Sequence, residues 1–255
     1  MKLIDTHCHL YLKDFINDIE AVIEKAKKEG VIKFYLPAIN SDVIDAMMEM
    51  EQKFKDQVFL MMGLHPCSVK QNYADELRIA EIWLNKRKFA AIGEIGLDFY
   101  WDKTFATQQY EAFELQMQWA LNKNLPVVIH TRNAMQQTIN TVKPFAAKGL
   151  KGIFHCFSGD YNEAKQIIDM NFYLGIGGVL TYKNSELNSV IEKIDLNNIV
   201  LETDAPYLTP VPYRGKRNES SYIKIIAEKL AEIKKISLQE IAEITTVNAE
   251  KIFGS

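Results

Sequence analysis

Cysteine is scarce in this chain: three in 255 residues, at positions 8, 67 and 156, an odd and scattered set. That excludes a disulfide framework and implies a reducing compartment. Long apolar runs are missing too, since none approaches the ~18 residues that cross a bilayer. The opening MKLIDTHCHL places Asp5 and two histidines where a signal peptide needs an apolar stretch, so a cytoplasmic protein without a membrane partner is expected. Nor is there an excess of charge. Thirty Lys and Arg against thirty-three Asp and Glu leave −3, so no nucleic acid is held by a global field. Any phosphate partner needs a local cluster of cations or a metal. A dinucleotide fingerprint is also absent: the nearest stretch, Gly175-x-Gly177-Gly178, has Leu180 where the third glycine belongs and reads as a flexible loop.

What is present is a rhythm. Short β-rich apolar runs recur at 3–6, 33–37, 58–62, 90–93, 127–129, 152–154, 172–175 and 199–201. Longer stretches with helical spacing separate them. Phe15, Ile19, Val22, Ile23 and Ala26 fall on one helical face, with Gly30 as the terminating residue. Ser237 and Glu240 make a capping box ahead of Ile241, Ile244 and Val247. Strands alternating with helices make βαβ units and a parallel sheet. Eight such units predict a single-domain α/β fold over 1–255, a (β/α)8 TIM barrel. A doubly wound sheet is the rival, disfavoured by the missing fingerprint.

Only five histidines occur: His7, His9, His65, His130 and His155. Each stands just past a predicted strand, on the rim where such barrels carry chemistry. In His7-x-His9, residues i and i+2 share a strand face, so both imidazoles converge as a metal site. Such a site needs a carboxylate to offset the cation. Glu94 in GEIGLDF and Asp204 in LETDAP are candidates, or else a helix-start carboxylate and a turn residue before Ala205-Pro206. With His130 and His155 they form a six-ligand set, enough for two divalent metal ions, Mg²⁺, Mn²⁺ or Zn²⁺. Asp5 and Glu202 each precede a candidate ligand by two residues. By alternation both face the interior one layer below, either accepting from a ligating imidazole or pairing with a buried cation such as Arg132. Cys8 and Cys156 have the opposite parity and are expected in the helix layer as packing residues.

LIDTHCHL, PVVIHTR and NIVLETDAPYL, with GLHP, GEIGLDF, HCFSG and PYRGKRN in order among them, span nearly the whole chain. Together they resemble the signatures of the TatD family of metal-dependent deoxyribonucleases, which are amidohydrolase-like barrels. The chain departs at Tyr11, where the first signature usually has Asp or Asn, at Gln136, where the second ends in an acid, and at Ser220, where Pro usually follows Asn-Glu. None is an expected metal ligand, so the departures bear on substrate preference. The resemblance implies that His7, His9 and Asp204 hold one metal, that His130 and His155 hold the other, and that Glu94 bridges. It also implies phosphodiester hydrolysis of DNA, often as a 3′→5′ exonuclease and commonly with Mg²⁺.

In such a site two cations about 3.5–4 Å apart activate water for in-line attack, with Asp204 as general base and Glu94 as the catalytic bridge. His65 is left for a phosphate oxygen of the substrate, or for a structural hydrogen bond. Arg214, Lys216 and Arg217 follow the last strand and suit phosphate contacts, or form a solvated basic loop. Phe99-Tyr100-Trp101 either stacks on an unpaired base or packs. With little positive charge elsewhere, the expected partner is DNA with a small footprint, a strand end or a short single strand. No obligate protein partner is evident. Two other readings stand beside this one. A barrel hydrolase of a small ester, lactone or amide often carries a carbamylated lysine where Glu94 stands; a non-catalytic scaffold has no use for the full ligand set.

Overall fold

A computed structural model describes residues 1–183 and 185–254. Among these residues eight parallel strands pair in sequence order: β1 (Leu3–Asp5), β2 (Val31–Pro37), β3 (Val58–Met62), β4 (Ala91–Asp98), β5 (Val127–Arg132), β6 (Gly152–Phe154), β7 (Phe172–Ile176) and β8 (Ile199–Leu201). The helices that alternate with them are α1 (Ile19–Lys28), α2 (Ile44–Lys53), α3 (Tyr73–Lys86), α4 (Ala106–Lys123), α5 (Met135–Ala146), α6 (Tyr161–Asp169), α7 (Leu187–Lys193) and α8 (Ile223–Lys234), followed by α9 (Leu238–Phe253). The ends of the sheet meet at β1 and β8. There the Thr6 amide donates to the Leu201 carbonyl at 3.1 Å, and the Asp204 amide to the His7 carbonyl at 2.9 Å. The result is the expected (β/α)8 barrel.

Alternation along the strands sorts two layers. Leu3, Leu36, Leu60, Ile92, Ile129, Phe154, Leu174 and Leu201 pack outward with helix residues such as Ile23, Met47 and Leu84. Ile4, Tyr35, Met61, Ala91, Val128, Ile153 and Val200 form the inner layer, which α9 closes from below with Ala249, Ile252 and Phe253. The Ser237–Glu240 capping box starts α9 as expected. Two residues beyond Val128, Ile153 and Val200 the inward positions read His130, His155 and Glu202. The same alternation that builds an apolar floor therefore builds a polar mouth.

β4 breaks the pattern. Ile92 and Ile95 both pack outward although they are three apart, and the pairing with β5 shifts register between them. That shift turns Glu94 inward and lets β4 continue to Asp98, well past the expected end at 93. Two other expectations change. Phe15 belongs to a short turn, Lys13–Phe15, ahead of α1, yet is fully buried in the core, with the Arg217 guanidinium 4.6 Å from its ring. The glycines at the end of β7 are not a flexible loop: Gly175 lies within the strand, and Gly177 and Gly178 follow it. A Cβ at Gly175 would strike Glu202 Oε2, and one at Gly178 would strike the Leu208 backbone carbonyl, so both are packed positions, and at Gly178 only glycine fits.

Candidate metal centre

Two kinds of backbone deliver the histidines. On one side His130 lies within β5 and His155 directly after β6, both projecting inward by strand alternation. Each has a buried carboxylate behind it: His155 Nδ1 is 2.9 Å from Glu202 Oε1, and His130 Nε2 is 2.9 Å from Asp98 Oδ2. On the other side β1 ends at Asp5, so His7 and His9 stand on irregular chain beyond the strand. Backbone bonds of the closing seam hold them, with the His9 amide donating to the Ala205 carbonyl at 2.7 Å. Behind His9 is a phenol. The Tyr11 hydroxyl donates to the Pro37 carbonyl at 2.7 Å and lies 2.8 Å from His9 Nδ1. An oxygen whose proton is already committed accepts from Nδ1–H, which leaves the Nε2 lone pair free.

Glu94 sits between the two sides and is 2% exposed. Its Oε2 is 3.2 Å from His7 Nε2 and 3.6 Å from His9 Nε2. Its Oε1 is 3.0 Å from His130 Nδ1 and 3.5 Å from His155 Nε2. Asp204 Oδ1 completes the first group, 3.7 and 3.5 Å from the Nε2 atoms of His7 and His9. The His7 and His155 rings stack at 3.6 Å, joining the sides. Burial works against charge on Glu94, but His65, His7, His155 and the bond from His130 hold its carboxyl well below the usual carboxylate range. Burial likewise opposes charge on His155, yet Glu202 and Glu94 raise it to about 10. The donor trios His7, His155 and Asp204; His7, His9 and Glu94; and His65, Glu94 and His130 each bring their atoms within 4.8 Å of one another.

These groups fit divalent cations. Imidazole nitrogens and carboxylate oxygens are mixed as such ions require, the anionic groups offset cation charge, the off-site nitrogens of His9 and His130 have hydrogen-bond partners, and that of His155 lies 2.9 Å from the Glu202 carboxylate. The buried Nδ1 of His7 has no hydrogen-bond partner among the described residues. His65 is different in kind. Its Nδ1 accepts from the Cys67 amide at 3.0 Å, so a neutral ring carries its proton on Nε2, which is then a donor 3.4 Å from Glu94 Oε1.

Several expectations need correction. Asp5 does not face the interior beneath the metals. It shares the outward parity of Leu3 and is fully buried, accepting from the Thr203 amide at 3.0 Å, the Thr203 hydroxyl at 2.6 Å and the His7 amide at 3.4 Å. Burial raises it to about 7 against those bonds. Counting back from His7 failed because the chain leaves strand geometry at Thr6. Arg132 partners neither Asp5 nor Glu202; it is exposed and lies 3.8 Å over the Tyr100 ring and 5.1 Å from that of Trp101. Arg217 is no free cation, since it forks onto Asp18 at 2.9 and 2.7 Å. Arg214 and Lys216 are exposed on the loop after β8, whose Tyr207 ring comes within 6.1 Å of His9. Tyr100 and Trp101 are 51% and 69% exposed at the mouth. Among the described residues no candidate metal group includes a cysteine, and Cys8 Sγ instead faces the Tyr35 carbonyl at 3.8 Å.

Asp98 is the residue that sequence reasoning missed. Read as a continuing strand, GEIGLD places it on the same face as Glu94, but the expected strand ends at 93. Gly96, at φ +145°, is required because a Cβ there would enter the His130 carbonyl.

A family model described as "TatD related DNase" matches residues 4–254. The chain belongs to the TatD family. A metal-dependent hydrolase of Bacillus subtilis, YabD, is 39% identical over 252 residues, covering 98% of each chain. Human deoxyribonuclease TATDN3 is 33% identical, with 98% of this chain and 94% of its own covered. The solved structure of YjjV, a TatD homologue from Escherichia coli K12, superposes with a TM-score of 0.93 at 28% identity over 99% and 98% of the two chains. Where TatD signatures carry Asp or Asn, Tyr11 here backs His9, so that departure touches a candidate ligand after all. The other two do not: Gln136 bonds to Gln166 on α6 at 3.3 Å, and Ser220 is buried beside Asp5.

Proposed function

We propose that this TatD-family hydrolase cleaves DNA phosphodiesters at a two-cation site, working from a strand end in the 3′→5′ direction. The observation that carries the reading is the division of Glu94, whose Oε2 faces His7 and His9 while Oε1 faces His130 and His155. A carboxylate addressed from both sides suits a bridge between two cations, with His7, His9 and Asp204 on one and His130 and His155 on the other. Such cations, when bound, acidify water and offset charge on the attacking and leaving oxygens; Mg²⁺, Mn²⁺ and Zn²⁺ all suit mixed N/O donors. Asp204 takes the proton of the attacking water as general base. His65 Nε2–H gives a hydrogen bond to a phosphate oxygen. Glu202 holds the His155 ring from behind.

The footprint is small. With Arg217 tied to Asp18, only Arg214 and Lys216 of the basic loop remain for backbone phosphates, and Trp101 offers a face for an unpaired base. The reading also places the protein in the cytoplasm, which three free cysteines favour; among the described residues no helix is long and apolar enough to cross a membrane.

The test is an assay of linear single-stranded, circular single-stranded and duplex oligonucleotides beside a panel of small esters and lactones, each with Mg²⁺, Mn²⁺ or Zn²⁺. Metal-dependent release of nucleotides from linear strands, with circles resistant, is expected. Ester or lactone turnover without nucleotide release would replace the reading with the small-substrate one.

A further inference from the structure

The carboxylate of Asp98 is 2% exposed, and its two oxygens have separate tasks. Oδ2 meets His130 Nε2 at 2.9 Å. Oδ1 accepts from the amides of Tyr100 at 2.9 Å and Trp101 at 3.3 Å, the two residues that form the exposed aromatic lip of the mouth. The backbone beneath is clamped from α4: Gln109 Oε1 accepts from the Asp98 amide at 2.9 Å, and Gln109 Nε2 donates to the Asp98 carbonyl at 3.1 Å. Gln109 is itself buried, so the carboxylate has little freedom to turn.

We infer that Asp98 is a positioning residue, tying the orientation of His130 to the placement of the Tyr100–Trp101 lip. The inference rests on the two-cation reading of the site. An ionised carboxylate only accepts hydrogen bonds. Oδ2 therefore selects the His130 tautomer protonated on Nε2, and the Nδ1 lone pair points at the Glu94 side, 3.0 Å from Oε1. That is the orientation a cation held by His130 requires. Because the other oxygen carries the lip, a ring that turned away would pull against Tyr100 and Trp101, and Arg132 stacked on Tyr100 resists that movement.

Asp98→Asn tests this because one amide cannot perform both tasks. If its oxygen faces His130, its NH₂ confronts the amides of the lip. If its NH₂ faces His130, the ring must take its proton on Nδ1, and the metal-facing lone pair is lost. Nitrogen-15 spectra of metal-free protein labelled at histidine, recorded at a pH where the ring is neutral, report the tautomer directly. In the wild type His130 is expected as the Nε2–H form. In Asp98→Asn, with folding checked by circular dichroism, the Nδ1–H form is expected to appear. Calorimetric titration with Zn²⁺ or Mn²⁺ should show about 10–100-fold weaker binding of one metal equivalent, with the other equivalent unchanged. An Nδ1–H His130 in the wild type overturns the inference whether or not the variant folds. So does a folded variant that keeps the wild-type tautomer, or one that binds both equivalents as tightly as the wild type. A wild type with the Nε2–H tautomer that takes up no divalent metal instead defeats the two-cation reading while leaving the Asp98–His130 bond in place.

Discussion

The two sides of the mouth hold imidazoles by different physics. On the β5–β6 side, His130 and His155 stand on regular strand or its first continuation, with the buried anions Asp98 and Glu202 behind them. On the β1–β8 side, His7 and His9 stand on irregular chain stitched by backbone bonds. There one ring has a phenol behind it and the other has no hydrogen-bond partner at Nδ1 among the described residues. An anionic partner strengthens a ligand's donor nitrogen more than a neutral one does. The comparison teaches that a carboxylate's place in the sequence does not give its task. Asp5 and Glu202 look alike by spacing, yet Asp5 splices β1 to the Thr203 segment and Glu202 backs a ring.

Glu94 serves both sides, so its loss has the largest effect. Glu94→Gln keeps the shape and removes the shared charge; bound metal, measured by elemental analysis, should fall below two equivalents together with nuclease activity. Full occupancy and full activity in the purified variant would end its role as a bridge. Adding metal at a hundred times its Kd should stabilise the wild type by about 2.7 kcal/mol, seen as a rise in Tm that Glu94→Gln largely lacks.

Next come the two buried acids. Glu202→Gln should weaken metal binding by about 10–100-fold. Asp5→Asn should leave metal affinity within a factor of a few and lower Tm instead, since its bonds go to Thr203 and to the backbone amide of His7 and not to a ligating ring. Equal metal defects in both variants would erase the distinction between splice and ring partner.

A smaller effect is expected at the neutral partner. Tyr11→Phe keeps the ring and removes the hydroxyl that lies 2.8 Å from His9 Nδ1. A neutral hydrogen bond contributes roughly 0.5–1.5 kcal/mol, so metal affinity should fall a few-fold to about tenfold, less than in Glu202→Gln. A larger loss at Tyr11 would invert the ranking of the two sides.

The smallest change belongs to the rim. Two phosphate contacts on single-stranded DNA give a slope of log K against log salt of about −1.4. Replacing Arg214 and Lys216 by alanine should flatten it and raise KM with metals retained. Arg217→Ala should leave the slope alone and lower Tm, because its fork to Asp18 and its cover over Phe15 are structural. A slope steeper than about −2 that survives the double change would show a larger footprint.

Periodicity alone carried the barrel, because period two alternating with helical spacing leaves a parallel sheet few other closures. It also carried His130, His155 and Glu202, which stand two residues beyond Val128, Ile153 and Val200 on the same inward rows. The histidines and acids of the cluster were legible as residue types with too few bland uses. Wherever the chain leaves regular geometry, parity stops being information. Asp5 faces outward because the strand ends before His7. Glu94 and Asp98 face inward because a register shift in β4, accommodated against β5, reset the alternation. Arg217 is a strut and not a phosphate contact because α1 brings Asp18 up to it, 199 residues away in sequence. Contacts of that kind form between segments that share no local pattern, and only packing of the closed barrel brings them together.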